Sequence, residues 1–339
     1  MVGRKNAIQK EHLMIFWLCL AVIAGPAIAA LFANNLTYYP DCKTYLGIAH
    51  FDFNQSPVRR YRVIIPFAAA ALNYISGGLF ARLSPSYFDG DFSMSFSFFI
   101  INSLLTAWAG QLIYRYCKSF GLDKFSSISG TLVFLTCRYT AATAAYPLVD
   151  SLFMVVVAIT LLGIKLKHTN LILTAIFLGP FAKESFIFIA PLILFFSHLP
   201  KLKLLLFFAL SGILVFSFRY GLDALTLKPF TGSIRADLAH LYLLKHNARK
   251  LFSFYTLFKI AMNIGLWGLA PLICWVRRPA LIKESVYSLD KYLAWFLVSV
   301  LFQMLLSGSM ERMFYIAMPL FCVIIAFSVA ELKSKIQQV

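Results

Sequence analysis

Leu13 to Ala33 reads LMIFWLCLAVIAGPAIAALFA, an apolar run without a charged residue. A helix of this length can cross the hydrocarbon core of a bilayer. Arg4, Lys5 and Lys10 precede the run, as in a secretion signal, but the run is long enough to favour a retained membrane span. The segment therefore indicates an integral membrane protein.

The rest of the chain has the same character. Of its 339 residues 60% are hydrophobic and 13% are charged, and the mean hydropathy is +0.77, whereas soluble domains are about half apolar and about a quarter charged. We predict an all-α, polytopic membrane protein with one transmembrane domain covering residues 1–339. Its apolar segments are 13–33, 63–82, 94–114, 126–146, 151–165, 170–182, 185–199, 203–219, 254–276, 292–308 and 313–330.

The distribution of basic residues predicts the topology. Lys and Arg number 31 against 14 Asp and Glu, and most of the excess lies in short loops, as expected for cytoplasmic loops rather than for nucleic-acid binding. If every apolar segment spanned from a cytoplasmic N-terminus, Lys201 with Lys203 and Arg277 with Arg278 would face outward. That arrangement inverts the usual bias, so one segment is expected not to span.

The segment 63–82 is the best candidate for an outer interfacial element, because Pro66, Asn73 and Gly77-Gly78 interrupt it. Removing it leaves about ten spans with both termini cytoplasmic. Two long outer loops then follow, 34–93 with interfacial helices and 220–253, and most acidic residues face outward. The small size and short loops favour a bacterial inner membrane.

The first outer loop carries the leading candidate for catalysis. Pro40 fixes the local backbone, and Asp41 to Ala49 is predicted to form a short helix with Asp41 and Tyr45 on one face. Asp41 could act as a base, and it could equally cap the helix. Arg59, Arg60 and Arg62 follow, and their planar guanidinium groups suit phosphate. Snorkelling to lipid headgroups is the alternative for these arginines.

Further charges lie in outer turns between apolar segments, where a charge is costly unless it is paired or used. We predict substrate-binding roles for Asp150, for Lys183 and Glu184, and for Arg312, although ordinary boundary charges remain an alternative. Arg138 falls inside the predicted span 126–146, which makes it a further substrate-binding candidate with Asp150 or Asp41 as its counter-ion; a structural ion pair is equally consistent.

Metal and disulfide chemistry have no support in the sequence. The six cysteines contain no C-x-x-C pair and have no histidine at metal-ligand spacing. We therefore assign no residue as a metal ligand and no definite cofactor. A divalent metal is possible, but the sequence does not indicate one.

An early aspartate after the first span, a tyrosine four residues later, an aspartate at the next outer turn and a Lys-Glu pair at a later one together resemble the GT-C superfamily of integral-membrane glycosyltransferases. The resemblance is to the branch with aminoarabinose transferase and the protein O-mannosyltransferases, and it rests on Asp41 with Tyr45, Asp150, Lys183 and Arg59 to Arg62. Two departures are that Cys42 stands where many members have a second acid, and that Ile65-Pro66-Phe67 replaces their Pro-Pro-Leu element.

The resemblance implies transfer of a sugar from a polyprenyl-phosphate or polyprenyl-diphosphate donor to a glycan or lipid acceptor at the outer, periplasmic face, as in lipopolysaccharide synthesis of the cell envelope. Donor, acceptor and membrane lipids are then the expected partners. Such transfer needs a base near the acceptor hydroxyl and cations near the leaving phosphate. A transporter or flippase of lipid-linked glycans, a polysaccharide polymerase and a structural membrane subunit remain alternative functions.

Overall fold

A computed structural model describes residues 2–33, 40–56, 59–88, 90–226, 242–277 and 290–336. All secondary structure in these ranges is helical, which confirms the predicted all-α class. The first half of the chain forms α1 (Val2–Ala33), α2 (Pro40–Ala49), α3 (Ile64–Arg82), α4 (Phe92–Lys118), α5 (Lys124–Leu135), α6 (Arg138–Ala145) and α7 (Asp150–Leu166).

The second half contains α8 (Thr169–Ala182), α9 (Ala190–Phe196), α10 (Lys201–Leu225), α11 (Leu243–Leu251), α12 (Phe254–Ile264), α13 (Leu269–Arg277), α14 (Lys291–Leu305), α15 (Met310–Phe314) and α16 (Met318–Ile336). In the described ranges the 3-10 turns Gly265–Gly268 and Tyr315–Ala317 join neighbouring helices into longer rods, and the 3-10 turn Glu184–Phe188 leads into α9. Tyr38, Tyr39, Asp89 and residues 227–241 of the two predicted outer loops lie outside the described residues.

Several helices are long and apolar enough to cross a membrane. Within the described residues there are six such stretches: Gln9–Ala33, Ile64–Arg82, Phe92–Lys118, Lys201–Leu225, Phe254–Val276 and Met310–Ser334. Four shorter apolar helices accompany them, Lys124–Leu135, Thr169–Ala182, Glu184–Phe196 and Lys291–Leu305. The chain is therefore a helical membrane protein, and the predicted count of about ten spans is not confirmed by helix length.

Two predicted segments differ from the observed helices. The segment 63–82 is one continuous helix, α3, because Pro66 lies in its first turn, where proline is tolerated. Since α3 is itself long and apolar enough to cross, its predicted interfacial placement is not confirmed. The predicted segment 126–146 is not one continuous helix: it breaks at Thr136 and Cys137 into α5 and α6, where the sequence turns polar.

The core is built from antiparallel helix pairs around α7, whose residues 150–164 are all buried. Along α1 and α4, Glu11 meets Tyr114 at one end and Phe32 meets Phe92 at the other. Along α5 and α16, the amino-terminal end of α5 meets the carboxyl-terminal end of α16 through Asp123 and Lys333. These pairs define two ends of one bundle.

Gly130 allows α5 to approach α16 closely. A Cβ atom at Gly130 would lie 2.8 Å from the Cβ of Ala326 and closer still to the carbonyl oxygen of Cys322. Because backbone cannot move away as a flexible side chain can, Gly130→Ala is expected to lower the free energy of unfolding by about 1–3 kcal/mol through overpacking. Thermal unfolding of the purified protein in detergent measures this loss.

The matched control is Gly78→Ala in α3, where an added Cβ meets nothing within 4 Å. Alanine there should be neutral or stabilising by up to about 1 kcal/mol, because it favours a helix more than glycine does. Equal melting temperatures for the two variants would show that the α5–α16 contact is looser than described.

Candidate functional site

The predicted outer turns meet at one end of the bundle. The first part of this site is α2, which begins at Pro40 and carries Asp41 in its first turn. The Asp41 carboxylate binds two guanidinium groups: Oδ1 lies 2.9 Å from Arg59 Nη2, and Oδ2 lies 2.7 Å from Arg312 Nη1. The predicted helix is thus confirmed, and Asp41 is a first-turn residue engaged by two cations rather than the residue that precedes the helix.

Arg312 joins Asp41 to a second, deeper carboxylate. Arg312 lies in α15, and its Nη2 pairs with Asp150 Oδ2, while Lys183 Nζ lies 2.8 Å from the other oxygen, Asp150 Oδ1. Asp150 opens α7, where the helix dipole also favours a negative charge. Lys183 follows the last residue of α8. We call the series Arg59–Asp41–Arg312–Asp150–Lys183 the ion-pair chain.

A second ion pair lies beside this chain. Arg62 Nε is 2.8 Å from Glu184 Oε2, its Nη2 pairs with the other Glu184 oxygen, and its Nη1 donates a 2.6 Å hydrogen bond to Tyr45 Oη. Tyr45 follows Asp41 by one helical turn, and Glu184 is the direct neighbour of Lys183. The predicted residues on α2, on the arginine run and on the Lys-Glu turn therefore form one cluster.

The exposure of the side chains increases from one end of the cluster to the other. The side chains of Asp150 and Lys183 are each 7% exposed, whereas that of Arg59 is 38% exposed. Burial raises the pKa of Tyr45 to about 12, so the phenol stays protonated near neutral pH. Burial also lowers the pKa of Lys183, against the opposing effect of Asp150. The cluster is deep at Lys183 and reaches the surface at Arg59.

Charge in the cluster is almost balanced. Four cations (Arg59, Arg62, Lys183 and Arg312) face three carboxylates (Asp41, Asp150 and Glu184), which leaves one positive charge in excess. Buried charges need such partners, because desolvation of an isolated ion costs several kcal/mol. The Nε atom of Arg312 is buried and has no hydrogen-bond partner among the described residues. One donor of the central arginine is thus left for a further acceptor.

Arg60 points into a separate cluster. Its Nη2 lies 2.9 Å from both Tyr61 Oη and Asp223 Oδ1, and Tyr61 donates a 2.8 Å hydrogen bond to Asp223 Oδ2. The Arg219 guanidinium stacks over the Tyr61 ring at 4.8 Å. Arg60 and Asp223 are both buried. This predicted substrate-binding residue therefore fixes the end of α10 to the arginine run.

Arg138 lies apart from both clusters. It is the first residue of α6, directly after the break that ends α5, and it is exposed. Its expected counter-ions, Asp150 and Asp41, are held by Lys183, Arg312 and Arg59 instead. The predicted pairing of Arg138 with either acid is wrong, because both acids are already bound by other cations and Arg138 is exposed beside the helix break.

Comparison of the chain with protein-family models, with curated proteins and with solved structures found no match. In the described part of the chain, no three His, Cys, Asp or Glu side chains lie close enough together to hold a metal ion. The three carboxylates of the cluster, Asp41, Asp150 and Glu184, are each paired with arginine or lysine.

Three residues of the Arg60 cluster were not among the site residues predicted from the sequence: Tyr61, Arg219 and Asp223. A signal for them was present: Arg219 and Asp223 lie four residues apart near the end of an apolar helix, where they share one face. An unpaired charge near the end of an apolar helix is costly. The pattern therefore indicates that Arg219 and Asp223 bind charged partners on another segment, such as the arginine run.

Proposed function

We propose that the chain is a glycosyltransferase that moves a sugar from a polyprenyl-phosphate or polyprenyl-diphosphate donor to a glycan or lipid acceptor. The observation that carries the proposal is the ion-pair chain. It gathers two carboxylates and three cations from five segments at one end of an apolar bundle, and the Arg62–Glu184 pair with the protonated Tyr45 lies beside it. Asp41, Tyr45, Asp150, Lys183, Arg59 and Arg62 in this cluster are residues on which the resemblance to GT-C transferases rests.

The geometry supports a division of roles. Arg59 is the most exposed cation of the ion-pair chain, so the donor phosphate reaches it first. When Arg59 turns to the phosphate, Asp41 Oδ1 becomes available to the acceptor, while Oδ2 stays on Arg312. Asp41 then takes the proton of the acceptor hydroxyl as that oxygen bonds to the sugar carbon. The bond from this carbon to the phosphate oxygen breaks, and polyprenyl phosphate leaves with the bonding electrons.

The buried part of the cluster supports the leaving group. Lys183, Arg62 and Arg312 hold positive charge in a water-poor setting, where fixed charges stabilise developing negative charge more strongly than in water. Arg312 Nε offers the free donor described above. Tyr45 orients Arg62 through its hydroxyl group. The site lies at the end of apolar helices, so a polyprenyl tail could remain in the bilayer.

The contacts at the two bundle ends support a ten-crossing topology as part of the proposal. The rod α7 has Asp150 at the end with the ion-pair chain and Lys165 at the opposite end, where Lys165 lies 2.7 Å from Asp290. Shorter helices such as α7 thus run from one end to the other. We place the ion-pair chain on the periplasmic side of a bacterial inner membrane, with both termini cytoplasmic.

A transporter or flippase has less support. Such a protein would line a path between the two ends with charged groups. The ion pairs formed between described residues lie instead at the two ends of the bundle, and Arg138 lies exposed at the break between α5 and α6. Appearance of a new glycosidic bond, detected by mass spectrometry after incubation of proteoliposomes with lipid-linked donors, separates transfer from translocation. Growth of a glycan chain by repeating units would instead indicate a polymerase.

Binding of the leaving group gives a test that does not require the sugar to be known. Undecaprenyl phosphate should raise the melting temperature of the purified protein, because a ligand that binds the folded state stabilises it. Arg59→Gln should weaken this binding by about ten- to a hundredfold, since a hydrogen bond to a charged group contributes about 1.5–3 kcal/mol. Titration of the lipid in a thermal-shift assay measures the effect.

Lys43→Gln is the matched control, because Lys43 is an exposed cation of the same helix as Asp41 and lies outside the ion-pair chain. It should bind undecaprenyl phosphate as the unchanged protein does. If Arg59→Gln and Lys43→Gln bound the lipid equally well, Arg59 would not contact the phosphate and the proposed entry route would be wrong.

A further inference from the structure

A basic helix outside the candidate site has no role in the proposed chemistry. This helix, α11, carries Lys245, His246, Arg249 and Lys250, and all four side chains are exposed. On a helical wheel they occupy one side, and Leu243, Asn247 and Leu251 occupy the other. We call the side with the four basic residues the basic surface.

The opposite side of α11 is fixed to the bundle. Asn247 is buried, and its Nδ2 atom lies 2.9 Å from the carbonyl oxygen of Leu305 and 2.7 Å from that of Ser307, at the end of α14. These contacts satisfy carbonyl groups that a helix end leaves without intrahelical partners. Because Asn247 fixes the other side of α11 to the end of α14, the basic surface faces away from the bundle.

No acidic side chain neutralises the basic surface from its own segment. The sequence from Leu238 to Lys283 contains neither Asp nor Glu, while Lys245, Arg249, Lys250 and Lys259 are all positive. In the described residues Lys259 pairs with Glu311, at 3.2 Å, and no ion pair is formed by Lys245, Arg249 or Lys250. The uncompensated charge is complementary to an anionic surface.

The neighbouring helix fixes the depth of this charge. Only Phe252 and Ser253 separate α11 from Phe254–Val276, which is long and apolar enough to cross a membrane. Phe252 and Phe254 are 80% and 84% exposed, and Tyr255 is exposed as well. Aromatic side chains at the end of a span mark the interface between hydrocarbon and headgroups. The basic surface thus lies within about one helix turn of the headgroup layer.

We propose that the basic surface of α11 binds the headgroups of anionic phospholipids in the leaflet next to it. The phosphate groups of the leaflet supply the negative charge that the segment lacks, and Phe252, Phe254 and Tyr255 enter the interface beside them. This inference does not depend on the proposed glycosyltransferase activity, because it concerns residues outside the ion-pair chain. It also holds for either orientation of the bundle.

The test uses a fluorescent label on α11. Ala248 is exposed there, and all six native cysteines are buried, so Ala248→Cys can be labelled selectively with an environment-sensitive fluorophore. The full-length protein is placed in nanodiscs of phosphatidylcholine alone or with added phosphatidylglycerol. We expect emission to shift to shorter wavelength as the phosphatidylglycerol content rises, and salt to reduce the shift.

Neutralising Lys245, Arg249 and Lys250 to Gln should remove this shift. Each basic residue near a leaflet strengthens its attraction by about fivefold, so the three changes should weaken the response to phosphatidylglycerol by roughly a hundredfold. The matched control changes Lys124, Lys167 and Lys203 to Gln, which are exposed at the opposite end of the bundle. This control should keep the shift.

Three results would overturn the proposal. The first is equal emission in both kinds of nanodisc. The second is an unchanged response in the triple α11 variant, or an equal loss in the control variant. The third is a shift caused by soluble dextran sulfate in phosphatidylcholine nanodiscs without a shift from phosphatidylglycerol, which would assign the basic surface to an anionic glycan instead of a lipid leaflet.

Discussion

Asp41→Asn is expected to lower sugar transfer by about a hundred- to ten-thousandfold, the range that a positioned general base contributes. The amide keeps the size of the carboxylate, but its single oxygen can replace only one of the two acceptors that now bind Arg59 and Arg312. It cannot take the proton of the acceptor hydroxyl. The effect should therefore appear in the rate of glycosidic bond formation and leave the binding of undecaprenyl phosphate in place.

Asp52→Asn is the matched control for this prediction. Asp52 is an exposed carboxylate of the same loop, and it accepts local hydrogen bonds from the Asn54 amide and from Gln55, both at 2.9 Å. It should transfer sugar at the rate of the unchanged protein. Full activity of Asp41→Asn, at normal expression, would exclude Asp41 as the base.

Asp150→Asn is expected to cause the largest loss of stability, about 3–5 kcal/mol, because breaking a buried ion pair leaves an uncompensated charge. Asp150 binds Lys183 and Arg312 together, so its removal leaves Lys183 buried without its acid. Lys183→Met should cost less, about 1–3 kcal/mol, since Asp150 keeps Arg312. In thermal unfolding in detergent, the melting temperature of Asp150→Asn should therefore be lower than that of Lys183→Met.

The double variant Asp150→Asn with Lys183→Met should recover part of this loss, because it removes the stranded lysine along with its acid. Asp290→Asn serves as the control, since its pair with Lys165 is partly exposed at the opposite end of the bundle and should contribute about 0–1 kcal/mol. Equal losses for Asp150→Asn and Asp290→Asn would mean that the ion-pair chain is hydrated and contributes little to folding.

Much of the architecture could be predicted from the sequence. Apolar length and charge bias predicted a helical membrane protein, and the proline before Asp41 predicted α2, which begins at Pro40. The same bias assigned Asp41, Asp150, Lys183 and Arg312 to one face, and the structure brings them together at one end. These features follow from composition and helix periodicity, which are local properties of the chain.

The pairing of charges could not be predicted in the same way. Arg59, Arg60 and Arg62 are nearly identical in sequence context, yet they bind Asp41, Asp223 and Glu184 respectively. The three arginines lie in a non-helical turn, and the acid that each one binds depends on which helix ends pack around that turn. Arg138 shows the same limit, since the break between α5 and α6 was not predicted and Arg138 lies exposed beside it without an ion pair to Asp41 or Asp150.

The residues of the ion-pair chain are synthesised at widely different times. Arg59 is synthesised shortly after Asp41, and Lys183 follows Asp150 by 33 residues, whereas Arg312 follows Asp41 by 271. Chains fold from the amino terminus as they leave the ribosome. Each of these two carboxylates therefore has a counter-ion available before Arg312 is synthesised. We expect a nascent chain stopped before α15 to contain both pairs but to lack the arginine that connects them.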